Sequence, residues 1–367
     1  MRPQRLTVVL ALASLASAAC SDDTTAPSAT RSSPSAAVQA AAANSWTVRK
    51  DMLTTRTNLA LATVKNAAGQ SIVYAIGGRN PNGVPLKTVS AYNVATNTWT
   101  FRRALPVALA WTNGAAVING KIYVSGGFSD YLAEHLSNAL YMYDPATNTW
   151  TRKHDMPSVS GPYDDPLYVG AQGVTGVING QLYVITTCYT SDAPWPDMPE
   201  SSCYENGKLV GPAFFRYNPV SDRWLALSSP SSAFADTTML SPFVGGVTGG
   251  KFYVFGTSWF DQISGRLAAY DPATNRWTRK NALGLARPGA AAAALGGRLY
   301  VIGGTRHNAG ILDKTIAYDP ATNRWTTRAP MPSARTDIAA TVVQVNGQSR
   351  IEVIGGPAPG NNLQYIP

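Results

Sequence analysis

Six short apolar runs punctuate the chain: Ile72 to Gly78, Ile122 to Gly127, Leu182 to Thr187, Phe252 to Thr257, Leu299 to Gly304 and Ile351 to Gly356. Each is too short for a helix and rich in β-branched and aromatic residues, so each reads as a buried strand. Four of them end in Gly-Gly; the third ends Thr186-Thr187 and the fourth Gly256-Thr257. A polar turn between two aromatic residues follows each of the first five. Three copies are strict: Tyr143-Asp144-Pro145-Ala146-Thr147-Asn148-Thr149-Trp150, Tyr270-Asp271-Pro272-Ala273-Thr274-Asn275-Arg276-Trp277 and Tyr318-Asp319-Pro320-Ala321-Thr322-Asn323-Arg324-Trp325. Looser copies run from Tyr92 to Trp99 and from Tyr217 to Trp224. Proline fixes φ, while Asp and Asn fold back on their own backbone, so the Tyr side and the Trp side are two antiparallel strands joined by this turn. Upstream of each apolar run lies a small-residue stretch, such as Gly289 to Leu295, that supplies a further strand. The repeating unit is therefore four strands, and its period of roughly 50 residues is that of a propeller blade.

The Tyr-Asp-Pro-x-Thr-Asn-x-Trp turn together with Ile-Tyr-Val-Ile-Gly-Gly resembles the kelch repeat, and the resemblance covers residues 46–367. The ends complete the count. Asn44-Ser45-Trp46 begins an outermost Trp strand with no blade before it, and Leu363-Gln364-Tyr365 is a Tyr strand with no Trp strand after it. Pairing the two makes a sixth blade and leaves no open edge at the ring junction. The expected fold is all-β: one six-bladed kelch propeller over residues 45–367, about 54 residues per blade, rather than the two domains that length alone suggests.

The first residues carry an address instead of a fold. Arg2 and Arg5 precede an apolar run from Leu6 to Ala16 and a small-residue exit, Ser17-Ala18-Ala19. That is the layout of a signal peptide over residues 1–19, with a run too short to span a bilayer. Residues 20–44, rich in Ser, Thr, Ala and Pro, read as a disordered tether. Cys20 at the head of that tether resembles the lipidation site of a bacterial lipoprotein, although Ser17 stands where that family prefers Leu. The alternative is a soluble secreted protein; both readings export the chain to the envelope or beyond.

Composition narrows the chemistry. The chain has 30 Lys and Arg against 21 Asp and Glu, a net charge of +9 that becomes +7 without Arg2 and Arg5. The excess is dispersed rather than gathered in a stripe, which argues against nucleic-acid binding. Three His and three Cys with no metal-ligand spacing leave little for a metal site, and no cofactor is expected. In an exported chain Cys188 and Cys203 can pair as a disulfide across a loop of about 15 residues.

In a four-stranded blade the links between strands 2 and 3, and from strand 4 to the next blade, emerge on one face. Length variation falls in the 2–3 links, so that face is the candidate binding surface. The 4–1 links offer Arg56, Trp111, Tyr163, Asp164, Asp165, Asp236, Arg287, Arg335 and Asp337. Planar guanidinium forks with aromatics and carboxylates suit an acidic sugar or a polar peptide. The competing expectation is that such arginines bond loop carbonyls and serve the fold. The repeated Tyr, Trp and Gly-Gly positions read as blade core. The expected function is a binding module, monomeric, recognising a glycan or an envelope protein and touching the membrane only through its anchor. The alternative, which similarity to exported six-bladed sialic-acid mutarotases implies, is a sugar isomerase using Asp337, Asp236, Asp164 or Asp165 as proton donor and acceptor. A copper oxidase of the same repeat type would need histidine and tyrosine ligands that this chain does not group.

Overall fold

The computed structural model describes residues 42–367 except 130–135, 158, 161–165, 190–202, 206–207, 231–242, 257–264, 285, 307–308 and 358–361. The expected signal peptide, Cys20 and nearly all of the expected tether lie outside the described residues. So do Tyr163, Asp164, Asp165 and Asp236, and the side chains of Cys188 and Cys203.

Six antiparallel sheets form a propeller, the first five built inner to outer in chain order. The first blade is Ala60–Lys65, Ser71–Ile76, Val89–Asn93 and Thr98–Arg102; the second is Ala115–Ile118, Lys121–Ser125, Leu140–Asp144 and Thr149–Lys153. The third, Pro166–Ile178, Gln181–Tyr189, Ala213–Asn218 and Arg223–Ala226, carries an extra two-residue strand, Val159–Ser160, on the start of its inner strand. The fourth is Phe243–Thr248, Lys251–Gly256, Arg266–Asp271 and Arg276–Lys280; the fifth is Ala291–Leu295, Arg298–Ile302, Thr315–Asp319 and Arg324–Arg328. The sixth takes Ile338–Val345, Gln348–Gly355 and Asn362–Ile366 from the C-terminus and its outermost strand, Ser45–Val48, from the N-terminus. Trp46 pairs with Tyr365 in register, as the unmatched motif halves require.

The repeated turn works as a clasp. Its Asn or Asp sits in the left-handed region in every blade: Asn44, Asn97, Asn148, Asp222, Asn275 and Asn323, with φ between 53° and 56°. These residue types tolerate that conformation because their short polar side chains bond locally. Each accepts a hydrogen bond from the motif tyrosine, as Tyr92 Oη does to Asn97 at 2.6 Å and Tyr365 Oη to Asn44 at 2.7 Å. In five blades the same oxygen also accepts a backbone N–H that follows the previous blade's outermost strand, such as Arg103 N to Asn148. In all six the motif tryptophan donates its indole N–H to a carbonyl in that same segment, as Trp150 does to Arg103 at 3.0 Å. The motif is thus both a turn and an inter-blade lock. Asn44, placed in the tether by the sequence boundary at 45, belongs to the propeller: it supplies this lock for the sixth blade.

The core lies between blades. The motif tyrosines are almost fully buried, and each stacks obliquely on its own tryptophan at 4.9–5.3 Å. The Gly-Gly pairs mark where the next blade's entering link crosses. Gly78 N donates to Leu109 O, Gly304 N to Arg335 O and Gly356 N to Arg56 O.

Candidate functional site

The inner strands surround a central cavity of about 210 Å³, lined at one end, its mouth, by Asn58, Trp111, Gly289 and Asp337 just ahead of their strands, by Phe243 at the start of its strand and by Gln172 within its strand. Small residues behind them, such as Ala60, Gly173, Gly245, Ala291 and Ala339, let six strands approach one axis.

Backbone geometry shapes this mouth. Asn58, Trp111, Gln172, Gly289 and Asp337 occupy equivalent positions and all have positive φ, from 48° to 69°. Their peptides form a relay across five blades: Trp111 N donates to Asn58 O, Gln172 N to Trp111 O, Asp337 N to Gly289 O and Asn58 N to Asp337 O, at 2.8–3.1 Å. The left-handed turn aims each N–H sideways at the neighbouring blade instead of along its own strand. A tryptophan is costly in that conformation, so Trp111 is held there by its surroundings. Its ring takes the Arg79 guanidinium at 3.5 Å from the centroid and the edge of Phe128 at 5.7 Å. A cation over an indole face is a favourable pairing that also fixes the ring.

Asp337 lines the same cavity. Burial pushes its carboxyl above the usual range, and a hydrogen bond with Thr336 offsets part of that. Gly289 gives it room: a Cβ there would stand 2.1 Å from Thr336 Oγ1 and 3.1 Å from Asp337 Oδ1.

The three candidate arginines occupy one slot, two residues before the mouth position of the first, fifth and sixth blades, and meet three different environments. Arg56 is fully buried. Its Nη1 donates to Gly77 O and Thr88 O, both at 2.9 Å, and Nη2 donates to Ser90 Oγ at 3.1 Å. Burial pulls this guanidinium down to about 10, still charged at neutral pH. It braces its own 2–3 link and presents no surface to a ligand. Arg335 is 3% exposed and reaches Gly355 O at 3.4 Å. Both therefore follow the competing expectation and serve the fold.

Arg287 does not. Its Nε and Nη1 are buried and have no hydrogen-bond acceptor among the described residues. Burial lowers its pKa, and the charge of Arg306 lowers it further. Arg306 ends one strand of a small hairpin, Thr305–Arg306 with Gly310–Ile311, in the fifth blade's 2–3 link. The Thr305 N–H donates to Pro288 O at 2.7 Å and lays the hairpin beside Arg287. Two like charges are brought together, and neither Arg287 nor Arg306 forms an ion pair among the described residues.

Of the candidates, the structure therefore places Trp111 and Asp337 on the cavity wall, Arg287 on the same face, and Arg56 and Arg335 inside the blades. Arg79, Arg306, Asn58 and Gln172 went unread in the sequence. A repeat-by-repeat comparison of the residue two after the arginine slot is the signal that would have found the last two.

The geometry defines a kelch-type propeller, and comparison with known proteins agrees. Residues 63–105, 113–157 and 286–332 match the Kelch motif. The chain is 26% identical over 215 residues to Kelch-like protein 36 of Mus musculus, covering 58% of this chain and 30% of that protein. It is 27% identical over 274 residues to Kelch-like protein terF of Aspergillus terreus, covering 63% and 58%. Over 124 residues it is 31% identical to a Kelch domain-containing protein of Sulfurisphaera tokodaii, covering 34% and 15%. The alignments thus span less than two thirds of these relatives' own lengths. The chain carries Kelch repeats and folds as a six-bladed kelch-repeat propeller.

Proposed function

We propose that the protein is a recognition module whose 2–3/4–1 face takes a partner bearing carboxylates, either an acidic peptide segment or an acidic sugar. One observation carries this reading. Arg287 stands in the slot where both Nη groups of Arg56 find acceptors and only its Nε does not, yet Arg287 leaves both Nε and Nη1 unpaired among the described residues, with a second arginine beside it. A buried donor without an acceptor costs about 1–3 kcal/mol, and an adjacent like charge adds to that. An incoming carboxylate relieves both at once and suits the guanidinium fork. Trp111, with its ring fixed by Arg79, offers a flat wall across the mouth.

A melting-temperature screen with acidic and neutral monosaccharides and with Asp/Glu-rich peptides tests this. A ligand at 100 times its Kd stabilises the native state by about 2.7 kcal/mol, a readable shift. The expected result is a shift with one acidic class, reduced at least tenfold in affinity by Arg287→Ala. Equal affinity in that variant, or no shift with any acid, would sink the proposal.

A second reading, sugar isomerisation, draws on Asp337. A carboxyl raised by burial on a cavity wall is better placed to hold and release a proton than an ordinary exposed one. Turnover of an acidic sugar, lost in Asp337→Asn with binding retained, would favour it. We further propose export, with Cys20 as the anchor point; absence of a lipid on the mature N-terminus by mass spectrometry would remove the anchor.

A further inference from the structure

The second strand of five blades carries a tyrosine at one register: Tyr74, Tyr123, Tyr183, Tyr253 and Tyr300. Each ring meets the motif tyrosine of the following blade, at centroid distances of 5.5–6.1 Å. The sixth blade breaks the pattern. Glu352 holds that position and faces Tyr92 of the first blade, where the C-terminal strands pack against the blade nearest the N-terminus.

Glu352 is fully buried, and so are its neighbours Asn362 and Gln364. Gln364 Nε2 donates to Glu352 Oε2 at 2.8 Å. Asn362 Nδ2 donates to Lys50 O at 3.1 Å, which fixes the amide's orientation. Two buried acceptors in the cluster, Glu352 Oε1 and Asn362 Oδ1, then have no donor. The positive groups nearby donate to other acceptors, and Arg350 Nε donates to none among the described residues. Arg49 donates through Nε to Tyr92 Oη and through Nη2 to Val94 O; Arg350 donates through Nη1 to Gln364 Oε1. Thr341, in register beside Glu352 on the inner strand, shares its hydroxyl with Thr63 of the first blade at 2.9 Å. Among the described residues, Arg49, Arg350 and Tyr92 are the charged or titratable groups that face Glu352, and none donates to its carboxylate.

We propose that the seam between the last and first blades is a proton-operated latch, in which Glu352 is held as the neutral acid and its O–H supplies the donor that this buried cluster lacks. Loss of the proton leaves an unpaired charge in an apolar interface and loosens the join that closes the ring. Burial pushes the carboxyl from an ordinary 4.5 up to about 7, in the direction the geometry requires. The sign follows from linkage. Between these two values the folded state binds a proton that the unfolded state has released. Stability therefore falls as pH rises from about 4.5 to about 7 and levels off above.

Two measurements on the full chain test the latch. The sequence has four glutamates, so selective 13C labelling of their carboxyl carbons gives four resonances. One is expected to titrate near pH 7 and to be missing from Glu352→Gln. If all four titrate in the usual carboxylate range, the proposal is overturned. In urea, the unfolding constant of the wild type should rise relative to Glu352→Gln by a factor on the order of a hundred between pH 5 and pH 8. Glu352→Tyr, which restores the residue of the other five interfaces, should also flatten that response. Parallel pH profiles in all three proteins would overturn the latch as well.

Discussion

Tyr365→Ala is expected to destabilise the protein by about 3–5 kcal/mol, the range for removing a large buried aromatic, although the residue lies two positions from the end of the chain. Chain ends are commonly frayed, and a terminal substitution is commonly mild. Here the ring is fully buried, stacks on Trp46 at 5.0 Å, meets Tyr300 at 5.8 Å and donates its hydroxyl to Asn44. The truncation removes the sixth blade's core and its clasp to the N-terminal strand together. Asn44→Ala should cost about 1 kcal/mol by leaving that hydroxyl unbonded. The two changes should be non-additive in a double-mutant cycle, because Asn44 has nothing to clasp once the tyrosine is gone. Urea unfolding reads all three; a loss below 1 kcal/mol for Tyr365→Ala would mean that the N-terminal strand does not close the ring.

Gly77→Ala is expected to cost about 4 kcal/mol or more, an unusually large effect for adding one methyl group. Gly77 has φ +62, and a Cβ there would stand 2.3 Å from Leu109 O. The clashing atom is backbone of the link entering the second blade, so relief means moving that link. It would break the bond from Gly78 N to Leu109 O and disturb the mouth two residues further on, at Trp111. Gly69→Ala is the control: φ is +75 there, but nothing lies within 4 Å of the added atom. It should cost about 1 kcal/mol, the conformational penalty alone. Equal costs at the two sites would show that the crossing is not tight.

The blade count and the closure were legible because they rest on local rules. A turn of Asp, Pro and Asn between two aromatics can be read in one dimension, and the unmatched Trp46 and Tyr365 could only complete each other. The arginine slot was not legible in the same way. Arg56, Arg287 and Arg335 look alike in the sequence, and their roles differ only through which carbonyls fold back onto them. Arg306 reaches Arg287 through a two-residue strand of a hairpin, with no pattern long enough to announce it. Glu352 was open to inspection. Its run, Ile351-Glu352-Val353-Ile354-Gly355-Gly356, differs from Leu299-Tyr300-Val301-Ile302-Gly303-Gly304 most sharply where Glu stands for Tyr. Its meaning needed the knowledge that this strand borders the chain's own junction.

The mouth and the seam share a physical theme: each keeps a buried polar group that its neighbours do not satisfy. Such groups cost stability, and their retention at positions where sister repeats are better satisfied is what singles them out.

The most direct test of the recognition site needs no ligand. Unfolding free energies of Arg56→Met and Arg287→Met can be compared in the same buffer. Arg56→Met should destabilise by about 2 kcal/mol or more, because Gly77 O and Ser90 Oγ lose their guanidinium donor and Thr88 O keeps only the Gly77 N–H. Arg287→Met should be neutral or stabilising, because it removes unpaired nitrogens and the repulsion from Arg306. Equal destabilisation by both changes would mean that Arg287 braces the blade as Arg56 does, and the recognition site at the mouth would lose its basis.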